Sequence, residues 1–369
     1  MDDINSNVDS IKSSVKAFFK KVFEDIAITL PEEGIGHLKG KPTIYVSTHR
    51  SHLDYFIIGH VLEEIGLRNI RYAAGDNLTN LPVIGKKFKK LGAFTVHRSK
   101  ATHRNYVREL CRDAVEILKK GESIVVFPEG GRSYSGEMKN LKGGLITAGF
   151  MAQTMDPEND YFLAPISITY EKLPELKFLN LIQKGKNIRS GTRNPFKKLY
   201  GNLLYFGGDI TAFLVLFFAS KRSKKYGKVY INFGKPLNIK EIQKQCNHYD
   251  PDARDEFSAH RVTVKKVNSM IYDKFTNLMK VTPVNVVAKV LSDKSPLEIN
   301  KAEELLPEML NKLPADTKCD TSVLHRRDPA EVFDTGLRHL ISSGAAVKRG
   351  GCIRIKRRGL INYYVSVFN

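Results

Sequence analysis

TIYVSTHRSHLDYFIIG, residues 43–59, is the stretch on which the fold turns. Its first part, TIYVSTH, is rich in β-branched and aromatic residues and follows Gly40 and Pro42, so it reads as a buried strand ending at His49. LDYFIIGHVLEEIG, residues 53–66, then reads as a helix. Between them lies a polar loop with two histidines and a carboxylate, His49, His52 and Asp54. The strand-to-helix pattern recurs outward from here. ATHRNYVRELCRDAVEILKKG (101–121) predicts an amphipathic helix closed by Gly121. SIVVFPEGG (123–131) predicts a strand running into a glycine turn, and YFLAPISITYE (161–171) and KVYINFGKPL (228–237) predict two more strands. Strands alternating with helices define an α/β class with a mostly parallel central sheet flanked by helices.

The flanks read differently. VDSIKSSVKAFFKKVFEDI (8–26) has apolar side chains at helical spacing with lysines opposite, an amphipathic helix. Beyond residue 240 the text becomes charged and helical, with candidate helices at 260–281 and 298–313 and a basic, partly strand-like end at 350–369. The expected organisation is an N-terminal amphipathic helix within 1–30, an α/β domain at 31–240, and a mainly helical C-terminal region at 241–369 that adds extra helices.

The formal charge of +20 over 369 residues favours a polyanionic partner. Nucleic acid, an anionic membrane surface, an acidic carrier protein and phosphorylated substrates all qualify. The four cysteines lie far apart without a C-x-x-C pair, which argues against zinc and against a disulfide framework. The start of the chain carries no pattern of a secretory signal. No uncharged apolar run reaches the length of a membrane span. The nearest approach, LYGNLLYFGGDITAFLVLFFA (199–219), is broken by Gly207, Gly208 and Asp209 and flanked by lysines and arginines, which suits a segment lying in a membrane interface. A buried helical hairpin is the bland alternative.

Three polar clusters can carry chemistry. A neutral His49 is a usable base near pH 7, and Asp54, in the first turn of the next helix, can reach back to fix its tautomer. No G-x-S-x-G elbow supplies a nucleophile, so such a dyad would activate a substrate hydroxyl directly. Helix capping beside a surface histidine is the competing reading. In FPEGGRSYSG (127–136), Gly130 and Gly131 permit close backbone approach to a ligand, Arg132 offers a planar fork for phosphate, and Ser133 adds a hydroxyl. A tight turn with a solvated arginine would look the same. GAFTVHRSK (92–100) adds Arg98 to a basic run from Lys86 to Arg108 that contains no acid, and Lys86–Lys90 fits a solvated face. No P-loop is present. A metal site built from His49, His52 and Asp54 is not expected, because no partner for a ligating ring's second nitrogen is evident.

Taken in order, these clusters resemble the four blocks of the glycerolipid acyltransferase family: HRSHLD (49–54), GAFTVHR (92–98), FPEGGRS (127–133) and APISITYE (164–171). FGKPL (233–237) and VTPVNVVAKVL (281–291) are similar to segments of its glycerol-3-phosphate 1-O-acyltransferase branch, related to dihydroxyacetone-phosphate acyltransferase. Tyr134 and Ser135 stand where that branch often has arginine and threonine, and the chain is shorter than its long bacterial members. The resemblance implies transfer of a fatty acyl group from acyl-CoA or an acyl carrier protein to the sn-1 hydroxyl of glycerol 3-phosphate. It implies His49 as base and Asp54 as its orienter, Arg98 and Arg132 on the acceptor phosphate, and Glu129 on acceptor hydroxyls or bracing the turn. Gly130, Gly131 and Ser133 would complete the ligand loop, and Pro165 would shape the cleft. No cofactor or metal is implied beyond the thioester co-substrate. The expected partners are glycerol 3-phosphate, the acyl donor and an anionic membrane surface, not nucleic acid. The expected place is the cytoplasmic face of the cell membrane, peripheral or monotopic. A lysophospholipid acceptor is the nearest rival, and a basic membrane- or nucleic-acid-binding protein without catalysis is the rival from another class. The scheme requires His49 and Arg132 to flank one hollow.

Overall fold

The computed structural model describes residues 13–79, 84–100, 102–205, 226–246, 248–325 and 327–368. Helix α1 (13–22) leads into β1 (Asp25–Thr29). Next come β2 (Thr43–Ser47), α2 (Asp54–Glu64), β3 (Ile70–Gly75), the short α3 (Asp76–Thr79) and α4 (Ile84–Lys90), and β4 (Ala93–Val96). Then follow α5 (Arg104–Lys119), β5 (Ser123–Val126), α6 (Gly144–Met155), β6 (Phe162–Tyr170), α7 (Leu176–Ser190) and α8 (195–205). The main sheet finishes with β7 (Lys228–Phe233) and β8 (Leu237–Asn238), in the order β1-β7-β6-β2-β5-β3-β4 with β8 on β6. All pairings are parallel except those of β6 with β7 and β8, so the sheet is mostly parallel, as the sequence predicts.

The central strands are buried on both faces, which is why they read as continuous apolar runs. Ile44, Val46, Ile124 and Val126 point into one core, shared with α5, α6 and α9 (Ile239–Gln245). Tyr45 and Val125, one residue out of phase, point into the other with α2 and α7. Residues beyond 240 cover both faces. After the single turn α10 (Glu256–Ala259), α11 (Arg261–Leu278) sends Val267, Ile271 and Phe275 into the first core. The helices α12 (Pro283–Lys294), α13 (Ile299–Asp316), α14 (Pro329–Ser343) and α15 (Arg358–Val365) extend the second. A small sheet of β9 (Leu297–Glu298), β10 (Ala346–Arg349) and β11 (Cys352–Ile355) sits among them. Pro283 at the first turn of α12 and the Thr282–Asn285 capping box fix where that helix starts.

Several elements differ from the sequence reading. The helical pattern predicted to residue 26 stops at 22, and Ile26 serves β1 instead, because an apolar residue there satisfies either period. The predicted strand 228–237 breaks after Phe233, where Gly234 packs on Pro165 and Pro236 removes a donor. Helix α6, GLITAGFMAQTM, left no amphipathic signature because it is buried almost all round. β3, α7 and α14 were likewise not foreseen.

Candidate active site

Chain direction brings the carboxyl ends of β2, β5, β3 and β4 to one edge of the sheet, where ligands gather in folds of this kind. A hollow of about 200 Å³ lies there. His49 and Tyr55 line it with Ala73 and Gly75 at the end of β3, Val96 at the end of β4, and Phe127 just past β5. Its far wall, from α5 and α6, is apolar: Val107, Leu110, Leu145 and Ile146.

Asp54 is the first residue of α2, so its carboxylate sits at the positive end of that helix and beside the loop that precedes it. Its Oδ2 accepts from His49 Nδ1 at 2.8 Å and from the backbone N–H groups of Arg50 and Ser51 at 2.6 and 2.8 Å. Its Oδ1 accepts from the Tyr170 hydroxyl at 2.6 Å. A carboxylate only accepts here, so Nδ1 of His49 carries its proton and Nε2 is left as the basic nitrogen. The ring stacks on Phe127 at 4.3 Å between centroids and meets Tyr55 edge-on at 5.6 Å. Burial pushes the His49 imidazole below the ordinary histidine range; Asp54 pulls the other way, while the Arg132 charge adds to the depression. A neutral, oriented imidazole on the wall of a hollow is therefore the resting state at pH 7.

Glu129 is buried and faces backbone. Its Oε1 accepts the His49 N–H at 2.9 Å and its Oε2 the Lys139 N–H at 3.2 Å, while Ser133 N–H donates to His49 O at 3.0 Å. The two blocks that sequence separates by eighty residues are thus stitched together through main chain. Ser133 Oγ donates to Glu137 O and closes the same loop. Gly130 has φ +67 and a Cβ there would lie 2.9 Å from Lys142 Nζ, so glycine serves both the turn and the close approach of that lysine. Gly130, Gly131 and Lys142 line the hollow with His49.

Arg132 corrects the expectation of a hollow shared with His49. Its side chain is 2% exposed and is not among the residues lining the hollow. Its Nη1 donates to Glu175 Oε1 at 2.8 Å and to His52 Nδ1 at 3.0 Å. Glu175, just before α7, also accepts from Ser51 Oγ and from the His52 N–H. Burial would raise the Glu175 carboxyl, but His52 and Arg132 outweigh it and hold it down at about 2. The left-handed turn at Gly130 reverses the chain, so backbone faces the hollow and the arginine behind it faces α7. Pro165 is buried in β6 opposite Val46, also off the hollow. The side chain of Arg98, which opens a single 3-10 turn after β4, lies outside the described residues. His52 turns to Arg132 rather than towards Asp54, and among the described residues no cluster of three metal-ligating side chains occurs.

Sequence reading missed Tyr170, Glu175 and Lys142. Tyr170 lies in the fourth block, next to its last residue, and Glu175 follows Tyr170 by five residues, so proximity to that block was a usable signal; Lys142 is one lysine among many and carried none.

Residues 29–169 match the acyltransferase family model, and residues 212–349 match that of the glycerol-3-phosphate acyltransferase C-terminal region. An acyltransferase region and a glycerol-3-phosphate acyltransferase C-terminal region thus follow one another in this chain. Among curated relatives it is 28% identical over 285 residues to a glycerol-3-phosphate acyltransferase of Xanthomonas axonopodis pv. citri, covering 74% of this chain and 30% of that protein. It is 29% identical over 258 residues to that of Alteromonas mediterranea, covering 68% and 28%. The aligned part thus spans less than a third of the length of these relatives. A crystal structure of the 1-acyl-sn-glycerophosphate (LPA) acyltransferase PlsC from Thermotoga maritima aligns over 72% of this chain and 79% of that one, at 16% identity and a TM-score of 0.35, too distant to bear on the assignment.

Proposed function

We propose that this chain moves a fatty acyl group from a thioester, acyl-CoA or acyl carrier protein, to the sn-1 hydroxyl of glycerol 3-phosphate, giving lysophosphatidic acid. The observation that carries the proposal is the 2.8 Å bond of Asp54 to Nδ1 of His49, a residue that lines a largely apolar hollow. His49 Nε2 takes the acceptor hydroxyl proton as that oxygen bonds to the thioester carbonyl carbon. The tetrahedral adduct collapses, the C–S bond breaks, and the imidazolium returns the proton to the departing thiolate. Asp54 stabilises the imidazolium while it exists. The acceptor hydroxyl attacks directly, so no acyl-enzyme forms.

The apolar wall of Val107, Leu110, Leu145 and Ile146 suits the acyl chain. Lys142 and the backbone of Gly130–Gly131 suit the acceptor phosphate, with Arg98 as a second cation. Glu129 braces the turn rather than meeting acceptor hydroxyls, since both its oxygens are engaged by backbone. Arg132 and Ser133 hold the loop's shape.

A membrane surface is the proposed workplace, at the cytoplasmic face and without spanning. No helix among the described residues is long and apolar enough to cross a bilayer. α8 leaves Phe196, Leu199 and Leu203 at 80%, 66% and 69% exposure beside Lys197 and Lys198, the pattern of a helix resting in an anionic interface. Gly201 of α8 meets Gly185 of α7 through backbone, so α8 is carried on the domain rather than packed in its core. Residues 206–219 of the predicted interfacial segment lie outside the described residues.

The deciding experiment is a labelled acyl-transfer assay with glycerol 3-phosphate, wild type against His49→Ala. Transfer by the wild type that falls about 10²–10⁴-fold in the variant is expected. A trapped acyl-enzyme, or a variant keeping most of kcat, rejects the mechanism.

A further inference from the structure

A second cleft, of about 420 Å³, backs onto the His49 hollow. Its lining includes Arg104, Arg261, Lys265, Ser258, Thr147 and Asn268, and no aspartate or glutamate. Arg261 and Lys265 lie one helical turn apart on α11, and among the described residues neither makes an ion pair. The carboxylates nearby are already committed. Asp255 caps α10 and pairs with Arg108, and Glu256 accepts from Tyr249 and His260. Asn268 donates to Leu141 O at 3.2 Å, while its Oδ1 is buried without a partner. The cleft thus offers Arg261 and Lys265 without acidic partners, beside Arg104, whose Nη2 donates to Ser258 Oγ.

The ridge between the two hollows is Gly143–Gly144. Gly144 lines both. A Cβ at Gly143 would come within 2.5 Å of Val264 on the basic side, and one at Gly144 within 3.2 Å of Val107 on the apolar side. The pair is therefore packed close against α11 on one side and α5 on the other, and the two hollows meet at Gly144. A three-carbon acceptor held at Lys142 does not need the second cleft. An acyl donor does: its chain belongs in the apolar hollow and its carbonyl at His49, but its thiol end continues as a long arm with amide N–H groups and a phosphate.

We propose that this basic cleft binds the phosphopantetheine arm of the acyl donor, with Arg261, Lys265 and Arg104 on its phosphate. The proposal rests on the acyl-transfer reading above. Coenzyme A and an acyl carrier protein share this arm, so both are tested.

The test uses the full chain and the variant Arg261→Ala/Lys265→Ala, at two exposed positions, with unchanged thermal unfolding as the folding control. Calorimetric binding of free coenzyme A and of a holo acyl carrier protein is measured alongside KM for each acyl donor and for glycerol 3-phosphate. Loss of two charge-assisted contacts is expected to weaken binding and raise the donor KM by about 10–100-fold, leaving the glycerol 3-phosphate KM within about 3-fold. Weakening of coenzyme A alone assigns the arm to coenzyme A thioesters, and weakening of the carrier alone assigns it to the protein-bound form. A donor KM and binding that do not move overturn the proposal, as does a loss confined to binding of anionic vesicles, which would make the cleft a headgroup site. Binding that falls in the variant while the wild type transfers no acyl group would keep the cleft and reject the reaction.

Discussion

Two buried pairs meet at the loop around Ser51, and they do opposite things. His49–Asp54 and Arg132–Glu175 are both buried, both tightly hydrogen-bonded, and both anchored by the loop that joins β2 to α2. The first keeps one imidazole nitrogen for the hollow. The second is closed on itself through His52 and Ser51, behind the glycine turn. An ion pair that is saturated in the interior contributes shape, because its cost of desolvation leaves little net attraction to spend on a ligand. A dyad with one open basic nitrogen at a cavity wall is arranged for the proton transfer proposed above. The contrast separates chemistry from scaffolding within one motif family.

The largest expected difference between the pairs is kinetic. His49→Ala should lower kcat by about 10²–10⁴-fold with the smaller loss of stability, whereas Glu175→Ala should act on stability first. Removing Glu175 strands the buried Arg132 charge and should cost about 3–5 kcal/mol in denaturant unfolding. Equal stability losses in both variants would erase the distinction. Acid sharpens it further: the Glu175 carboxyl falls from 4.5 to about 2 on folding, so the folded state binds fewer protons there. Its contribution is whole above pH 4.5 and is lost as pH drops toward 2, so wild type should lose stability over that window more steeply than Glu175→Ala.

Smaller effects probe the open side. Lys142→Ala should raise KM for glycerol 3-phosphate by about 10–100-fold and leave the donor KM nearly unchanged; equal effects on both would remove Lys142 from the acceptor site. The acid limb of kcat/KM should have its midpoint below the ordinary histidine value of 6.5, because His49 is depressed and the proposed base must be neutral. Asp54→Asn should move that limb lower still, since Asp54 is what pulls the value up. A midpoint above 7 would point to another base. The mildest effect is at α8, where Leu199→Ser/Leu203→Ser should reduce flotation with anionic vesicles and spare turnover of a soluble short-chain donor.

Local chemistry was enough to specify the strand–loop–helix around His49 and the glycine turn after β5. β-branched runs, a carboxylate in the first helical turn and a left-handed glycine are decided within a few residues of chain. The sequence alone also determined the sheet's mostly parallel sense, through alternation of apolar strands with helices. It could not say that Ile26 belongs to a strand, that α6 is a helix, or that α11 completes the sheet's cover. Those follow from what each segment buries against, and their local patterns fit two answers. Above all, only the tertiary structure decided that Arg132 turns inward to Glu175 while Lys142 faces the hollow. Which of two cations meets a ligand depends on where a buried carboxylate from a distant segment comes to rest, and that is a property of packing, not of any stretch of residues.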